Sequence, residues 1–241
     1  NFGFCRVDFA VAFFFAGMIF VSVRPPNLVR PNWVWCVTGH PARRQCGPVF
    51  LARFPTLLDS RRPRRFNGRV PLDKLTIIGA GLLGGSIGLA ARARGLAKRV
   101  SALVRRPESV AECQAIGIAD EVTLDPAEAV ADADLIVLCT PISGMAGLAK
   151  RTLPDLKPGA VITDAGSTKQ QLVAELTPLC AGAGACFVGS HPMAGSDQTG
   201  PSAAQANLFD GTVCVITPTS NTDASALTTV NDFWAGLSSR P

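Results

Sequence analysis

From residue 74 onward, short apolar runs alternate with longer stretches in which apolar positions recur every three or four residues. The runs predict strands at 75–78, 100–104, 121–123, 135–139, 160–163, 186–188 and 212–217. The longer stretches predict helices at 81–95, 107–116, 126–131, 167–179 and 223–237. Leu82, Leu83, Ile87, Leu89 and Ala90 make the apolar side of the first helix, and Pro107 stands at a first-turn position of the second. The main strand runs are apolar throughout, as expected of strands covered on both faces. The alternation predicts an α/β fold over 73–241: a doubly wound, mostly parallel sheet with helices on either side.

Residues 1–72 are a different material. An apolar run at 9–23 is shorter than the ~20 residues a membrane-spanning helix needs. Seven prolines follow, from Pro25 to Pro63, with an arginine cluster at Arg61, Arg62, Arg64 and Arg65. Regular structure is not expected there. The segment holds eleven arginines, no lysine, and only Asp8 and Asp59 as acids. Three readings are open: a membrane anchor with a basic linker, an organellar transit segment, or upstream DNA translated from a wrong start. The all-arginine usage with scattered Trp, Cys and Pro fits the last best. The extension is therefore expected to be irregular, and no function is assigned to it.

Composition narrows the rest. With 241 residues, 47% of them hydrophobic, the chain can build one sizeable core. The net charge of +5 comes from the extension, since the remaining residues carry 12 basic against 16 acidic side chains. A nucleic-acid partner is therefore not expected. Eight scattered cysteines, no Cys-x-x-Cys pair and two histidines, His40 and His191, leave no basis for a structural metal site.

Gly79-Ala80-Gly81-Leu82-Leu83-Gly84 follows the first strand and opens the first helix. In that context G-x-G-x-x-G reads as a phosphate-binding turn of a Rossmann-type domain. Gly79 allows the turn, Gly81 lets backbone approach a pyrophosphate, and Gly84 lets helix and strand pack closely. A glycine turn without a ligand is the alternative. An acid at the end of the second strand would favour NAD. Here Val100–Val104 is followed by Arg105 and Arg106, where a 2′-phosphate would pair with guanidinium. NADP is thus preferred over NAD, unless the two arginines are plain solvated charge.

Further motifs follow the later strands: Leu138-Cys139-Thr140-Pro141, Asp164-Ala165-Gly166-Ser167-Thr168-Lys169, and Gly189-Ser190-His191-Pro192-Met193-Ala194-Gly195-Ser196, with Gly200-Pro201 and Asn207-Leu208-Phe209 beyond. Together with the glycine turn they resemble the prephenate/arogenate dehydrogenase family of tyrosine biosynthesis, over about residues 74–237. The resemblance implies oxidative decarboxylation: hydride passes to a nicotinamide, the ring carboxylate leaves as carbon dioxide, and the ring becomes aromatic. It implies that His191 accepts the proton of the ring hydroxyl, with Ser167 orienting it. It places Thr140 and Pro141 along the cofactor, and Lys169, Ser196 and Asp197 near the cleft. It also implies a cytoplasmic enzyme acting on a small molecule, prephenate or arogenate, away from membranes. In isolation His191 would read as a loop-capping histidine.

The family carries a second, mostly helical domain that forms the dimer core and supplies an arginine for the substrate's carboxylates. The residues up to Pro241 contain no counterpart. The expectation is a chain that binds dinucleotide but turns over prephenate weakly or not at all by itself, dimerising only with that domain. A non-catalytic dinucleotide-binding module is the competing reading from another class.

Overall fold

The computed structural model describes residues 10–15, 18–23, 35–38 and 71–241. The chain divides into two units, Asn1–Leu58 and Asp59–Pro241. In the first, strands β1 (Ala10–Phe15), β2 (Met18–Val23) and β3 (Trp35–Thr38) form an antiparallel sheet in that order. The apolar run thus supplies a strand pair, in keeping with its Phe, Val and Ile content. β3 stands where the proline-rich sequence led us to expect no regular structure. The arginine cluster lies outside the described residues. Among the described residues, no helix is long and apolar enough to cross a membrane.

The second unit runs β4 (Leu72–Ile78), α1 (Leu82–Arg94), β5 (Ala97–Leu103), α2 (Pro107–Ile116), β6 (Glu121–Thr123), α3 (Pro126–Val130), β7 (Leu135–Leu138), α4 (Ile142–Thr152), β8 (Val161–Asp164), α5 (Gln170–Gly182), β9 (Cys186–Pro192), β10 (Cys214–Thr217) and α6 (Ala224–Gly236). The sheet order is β10-β9-β8-β7-β4-β5-β6. All pairings are parallel except β10 with β9. The chain winds outward from β4 in one direction and from β7 in the other. This is the doubly wound Rossmann order, with its switch point between β4 and β7.

Side chains alternate along each strand between two cores. Leu75, Ile77, Leu135 and Val137 meet Ile87 and Ala91 of α1 and Phe233 and Trp234 of α6. Ile78, Ile136, Leu138 and Ile162 meet Met145 of α4 and Leu172 and Leu176 of α5. Helix starts follow local chemistry: Asp125 caps α3 by accepting from Ala127 N–H, and Asp223 caps α6 by accepting from Ala226 N–H. At the amino edge of the sheet, buried Lys74 donates to the Glu128 and Ala131 carbonyls and closes the end of α3.

Three details depart from the sequence reading. Helix α4 was not foreseen; Gly144 and Gly147 thin its apolar pattern, and only Met145, Ala149 and Thr152 are buried. Helix α5 starts at Gln170, so Ser167 lies in the loop before it. Strand β9 continues through His191 to Pro192, so His191 is inside the strand rather than beyond it. The antiparallel partner β10, pairing Val215 with His191 and Cys214 with Pro192, extends the strand past the glycine at 189.

Candidate active site

Because β5, β4, β7, β8 and β9 are parallel, their carboxyl ends share one edge of the sheet. Along that edge lie Arg105 and Arg106 after β5, the glycine turn after β4, Thr140 and Pro141 after β7, Ser167 after β8, and His191 near the end of β9. Backbone bonds knit the row: Gly79 N–H donates to Leu103 at 3.0 Å, Cys139 N–H to Ile78 at 2.8 Å, and Ala165 N–H to Leu138 at 3.0 Å. Open α/β sheets bind ligands at this edge, at the switch point.

The three glycines of the turn have distinct surroundings. Gly79 has φ +98°, and a Cβ there would meet Thr140 Cγ2 at 2.9 Å. A Cβ on Gly84 would meet the Gly79 carbonyl oxygen at 2.1 Å and Ile77 Cγ2 at 2.9 Å. A Cβ on Gly81 would meet no other described residue beyond its own turn within 4 Å. Among the described residues, no side chain bonds to the first-turn N–H groups of α1 beside it, where Leu82 and Leu83 begin the helix. These donors and the positive end of the helix dipole are therefore left without a side-chain cap among the described residues. Thr140 Oγ1 is buried without a hydrogen-bond partner among the described residues. The clearance over Gly81, uncapped donors and an unpartnered hydroxyl fit a pyrophosphate-bearing dinucleotide. Arg105 and Arg106 are exposed, and neither enters an ion pair among the described residues.

His191 is half-buried. Burial, and next the Lys169 ammonium, hold its imidazole below the ordinary histidine value, against an opposing pull from Asp164. It is therefore neutral near pH 7 and free to accept a proton. Ser167 is exposed one strand away and makes no hydrogen bond to it. Ser196 and Asp197 are exposed in the loop beyond β9.

A buried polar cluster lies behind the histidine, which sequence reasoning did not assemble. Asp164, fully buried at the end of β8, is ion-paired to Lys169 and accepts from Gly166 N–H at 2.8 Å and from Ser190 N–H at 3.1 Å. Burial pushes the Asp164 carboxyl up and the Lys169 ammonium down, and their mutual attraction opposes both shifts. Both residues stand in the Asp164–Lys169 motif, but their spacing alone does not reveal that they share Ser190. Among the described residues, no cluster of His, Cys, Asp and Glu is arranged to hold a metal ion.

Fold and site together define a nucleotide-binding domain of the Rossmann class. A family model described as "Prephenate dehydrogenase, nucleotide-binding domain" matches residues 87–240. The chain belongs to that family. It is 35% identical over 167 residues to the cyclohexadienyl dehydrogenase of Zymomonas mobilis subsp. mobilis, covering 69% of this chain and 56% of that protein. Among solved structures it is similar to prephenate dehydrogenase from A. aeolicus in complex with hydroxyphenyl propionate and NAD+, with TM-score 0.66 and 29% identity, covering 71% of this chain and 59% of that one. It is also similar to Synechocystis arogenate dehydrogenase, with TM-score 0.64 and 29% identity, covering 69% and 58%. The chain spans about half the length of the curated relatives it matches.

Proposed function

We propose that this chain is the nucleotide-binding part of an NAD(P)-dependent dehydrogenase that converts prephenate to 4-hydroxyphenylpyruvate by oxidative decarboxylation. The observation that carries the reading is the single row from Arg105 through the glycine turn and Thr140 to a neutral His191. A bound nicotinamide dinucleotide supplies the hydride acceptor. Gly79, Gly81, Leu82, Leu83 and Gly84 would hold its pyrophosphate, and Thr140 and Pro141 would line the cofactor beyond the turn. The His191 imidazole would accept the proton of the ring hydroxyl as the carbon bearing that hydroxyl gives up hydride to the nucleotide. Loss of the ring carboxylate as carbon dioxide then leaves its electron pair in the ring as an aromatic phenolate, which takes the proton back from the imidazolium. Ser167, in the loop after the neighbouring strand, makes no hydrogen bond to His191 and would orient the imidazole only once nucleotide and substrate lie between them. The substrate is a small molecule, the location is the cytoplasm, and a homodimer forms only together with a helical dimerisation domain.

Arogenate dehydrogenase is the second reading, favoured by the equal identity to the prephenate and arogenate enzymes of known structure. Side-by-side turnover of prephenate and arogenate decides between them.

The NADP preference rests on Arg105 and Arg106. Charge-assisted bonds to a phosphate contribute about 1.5–3 kcal/mol each. Arg105→Ala with Arg106→Ala is therefore expected to weaken NADP by roughly a hundredfold or more and NAD by much less. Titration of the 241-residue chain with each nucleotide checks this. Equal weakening of both would make the arginines ordinary surface charge.

A further inference from the structure

The end of β9 is held differently from the rest of the strand. The parallel ladder between β8 and β9 runs through Val161–Cys186, Ile162–Phe187 and Thr163–Val188 and then stops. Ser190 and His191 lie past its last pair. On one side they keep a backbone ladder, to Ile216 and Val215 of β10. On the β8 side, side chains take over. Asp164 Oδ1 accepts from Ser190 N–H at 3.1 Å, and Lys169 Nζ donates to the Ser190 carbonyl at 2.8 Å. Ser190 Oγ donates to the Asp164 carbonyl and accepts from Trp234 Nε1 at 3.0 Å.

Every polar group of Ser190 is thereby engaged, and Ser190, Asp164 and Trp234 are all 0% exposed. An indole N–H is a donor only. It therefore fixes the Ser190 oxygen as its acceptor and leaves the single hydroxyl proton for another partner. Buried polar groups of this kind are costly when unpaired, so a filled set favours one arrangement over its alternatives. The residue so restrained immediately precedes His191.

We propose that Lys169 and Trp234 are positioning residues for His191, acting through Ser190 to fix where the imidazole lies at the edge of the sheet. This rests on the reading of His191 as the base. The charged groups acting on the imidazole are Lys169 and Asp164, of which Lys169 has the larger effect. Across the strand pair the Cys214 thiol is pushed up to about 12 and stays neutral. Asp197, in the loop beyond, is exposed.

The chain has two histidines, so the His191 ring proton resonance can be assigned by its disappearance in His191→Asn. Its titration midpoint is expected below 6.5 in the unsubstituted chain. Lys169→Met is expected to raise the midpoint by about half a unit or more, because the dominant cation is gone. Lys169→Arg, which keeps the charge, is expected to restore it. Trp234→Phe, which keeps an aromatic ring without the donor, is expected to shift or broaden the His191 line while nucleotide affinity is unchanged. A folded chain whose His191 line and midpoint ignore both Lys169→Met and Trp234→Phe would overturn the proposal. If neither variant folds, the unsubstituted chain still tests it: the Trp234 indole proton should persist in deuterium oxide after exposed amides have exchanged. Its immediate loss would also overturn the proposal. These readings need no turnover. Full prephenate oxidation by His191→Asn would instead sink the assignment of the base and leave the titrations standing.

Discussion

Gly81→Val is expected to abolish dinucleotide binding while leaving the melting temperature nearly unchanged. The space over Gly81 is clear of other described residues to 4 Å and its φ of −83° suits any residue, so the fold accepts the side chain. What the side chain removes is room for a phosphate at the uncapped start of α1. Losing two charge-assisted contacts there costs about 3–6 kcal/mol, which is more than a hundredfold in affinity. Gly84→Ala is expected to do the opposite. Its Cβ would sit 2.1 Å from the Gly79 carbonyl oxygen, a backbone atom that cannot swing away. Overpacking of this kind costs about 3 kcal/mol, a fall in melting temperature of roughly 6–12 °C for a domain this size. Thermal denaturation and nucleotide titration of the two variants separate the roles. Unchanged affinity in folded Gly81→Val would remove the phosphate-turn reading.

His191→Asn is expected to lower kcat/KM for prephenate oxidation by about 10²–10⁴-fold, the usual contribution of a positioned general base. Nucleotide affinity should be unaffected, because the glycine turn lies on β4, three strand positions away. The pH profile gives the sign. A protonated imidazole cannot accept the hydroxyl proton, so activity requires the neutral form. Since burial and Lys169 lower the His191 pKa, the neutral form prevails through pH 7 and activity falls only as pH drops below 6.5. In a preparation active with prephenate, the rate should fall tenfold per pH unit on that limb. The residual rate of His191→Asn should lack the limb. A limb that survives the substitution would assign the titration to another group.

The nucleotide half of the site was legible in the sequence, and the reason is geometric. A backbone at φ +98° and a helix packed against a carbonyl oxygen both demand glycine, so the constraint leaves its trace in residue type. The half of the candidate site around His191 was legible only as a motif. Gly189, Ser190 and Pro192 read locally as loop residues, yet pairing with β10 makes them strand. That tertiary contact moved His191 inside β9. The ion pair of Asp164 and Lys169 spans five residues, but its link to Ser190 and Trp234 spans as many as 44 and exists only once α6 packs on the sheet. Helix α4 escaped because two glycines dilute its apolar face.

The ordered row of strand ends also works as a ruler. From the glycine turn on β4 to His191 on β9 the edge crosses β7 and β8, three strand spacings or roughly 14 Å. A nucleotide that ends at its phosphates can fill the turn without coming near the imidazole. Mononucleotides are therefore expected to compete with the dinucleotide for the turn yet leave the ring titration of His191 unmoved. Only a ligand long enough to pass Thr140 can report on both ends of the edge at once. The spacing of the strand ends thus sets how long a ligand must be to reach both the turn and His191.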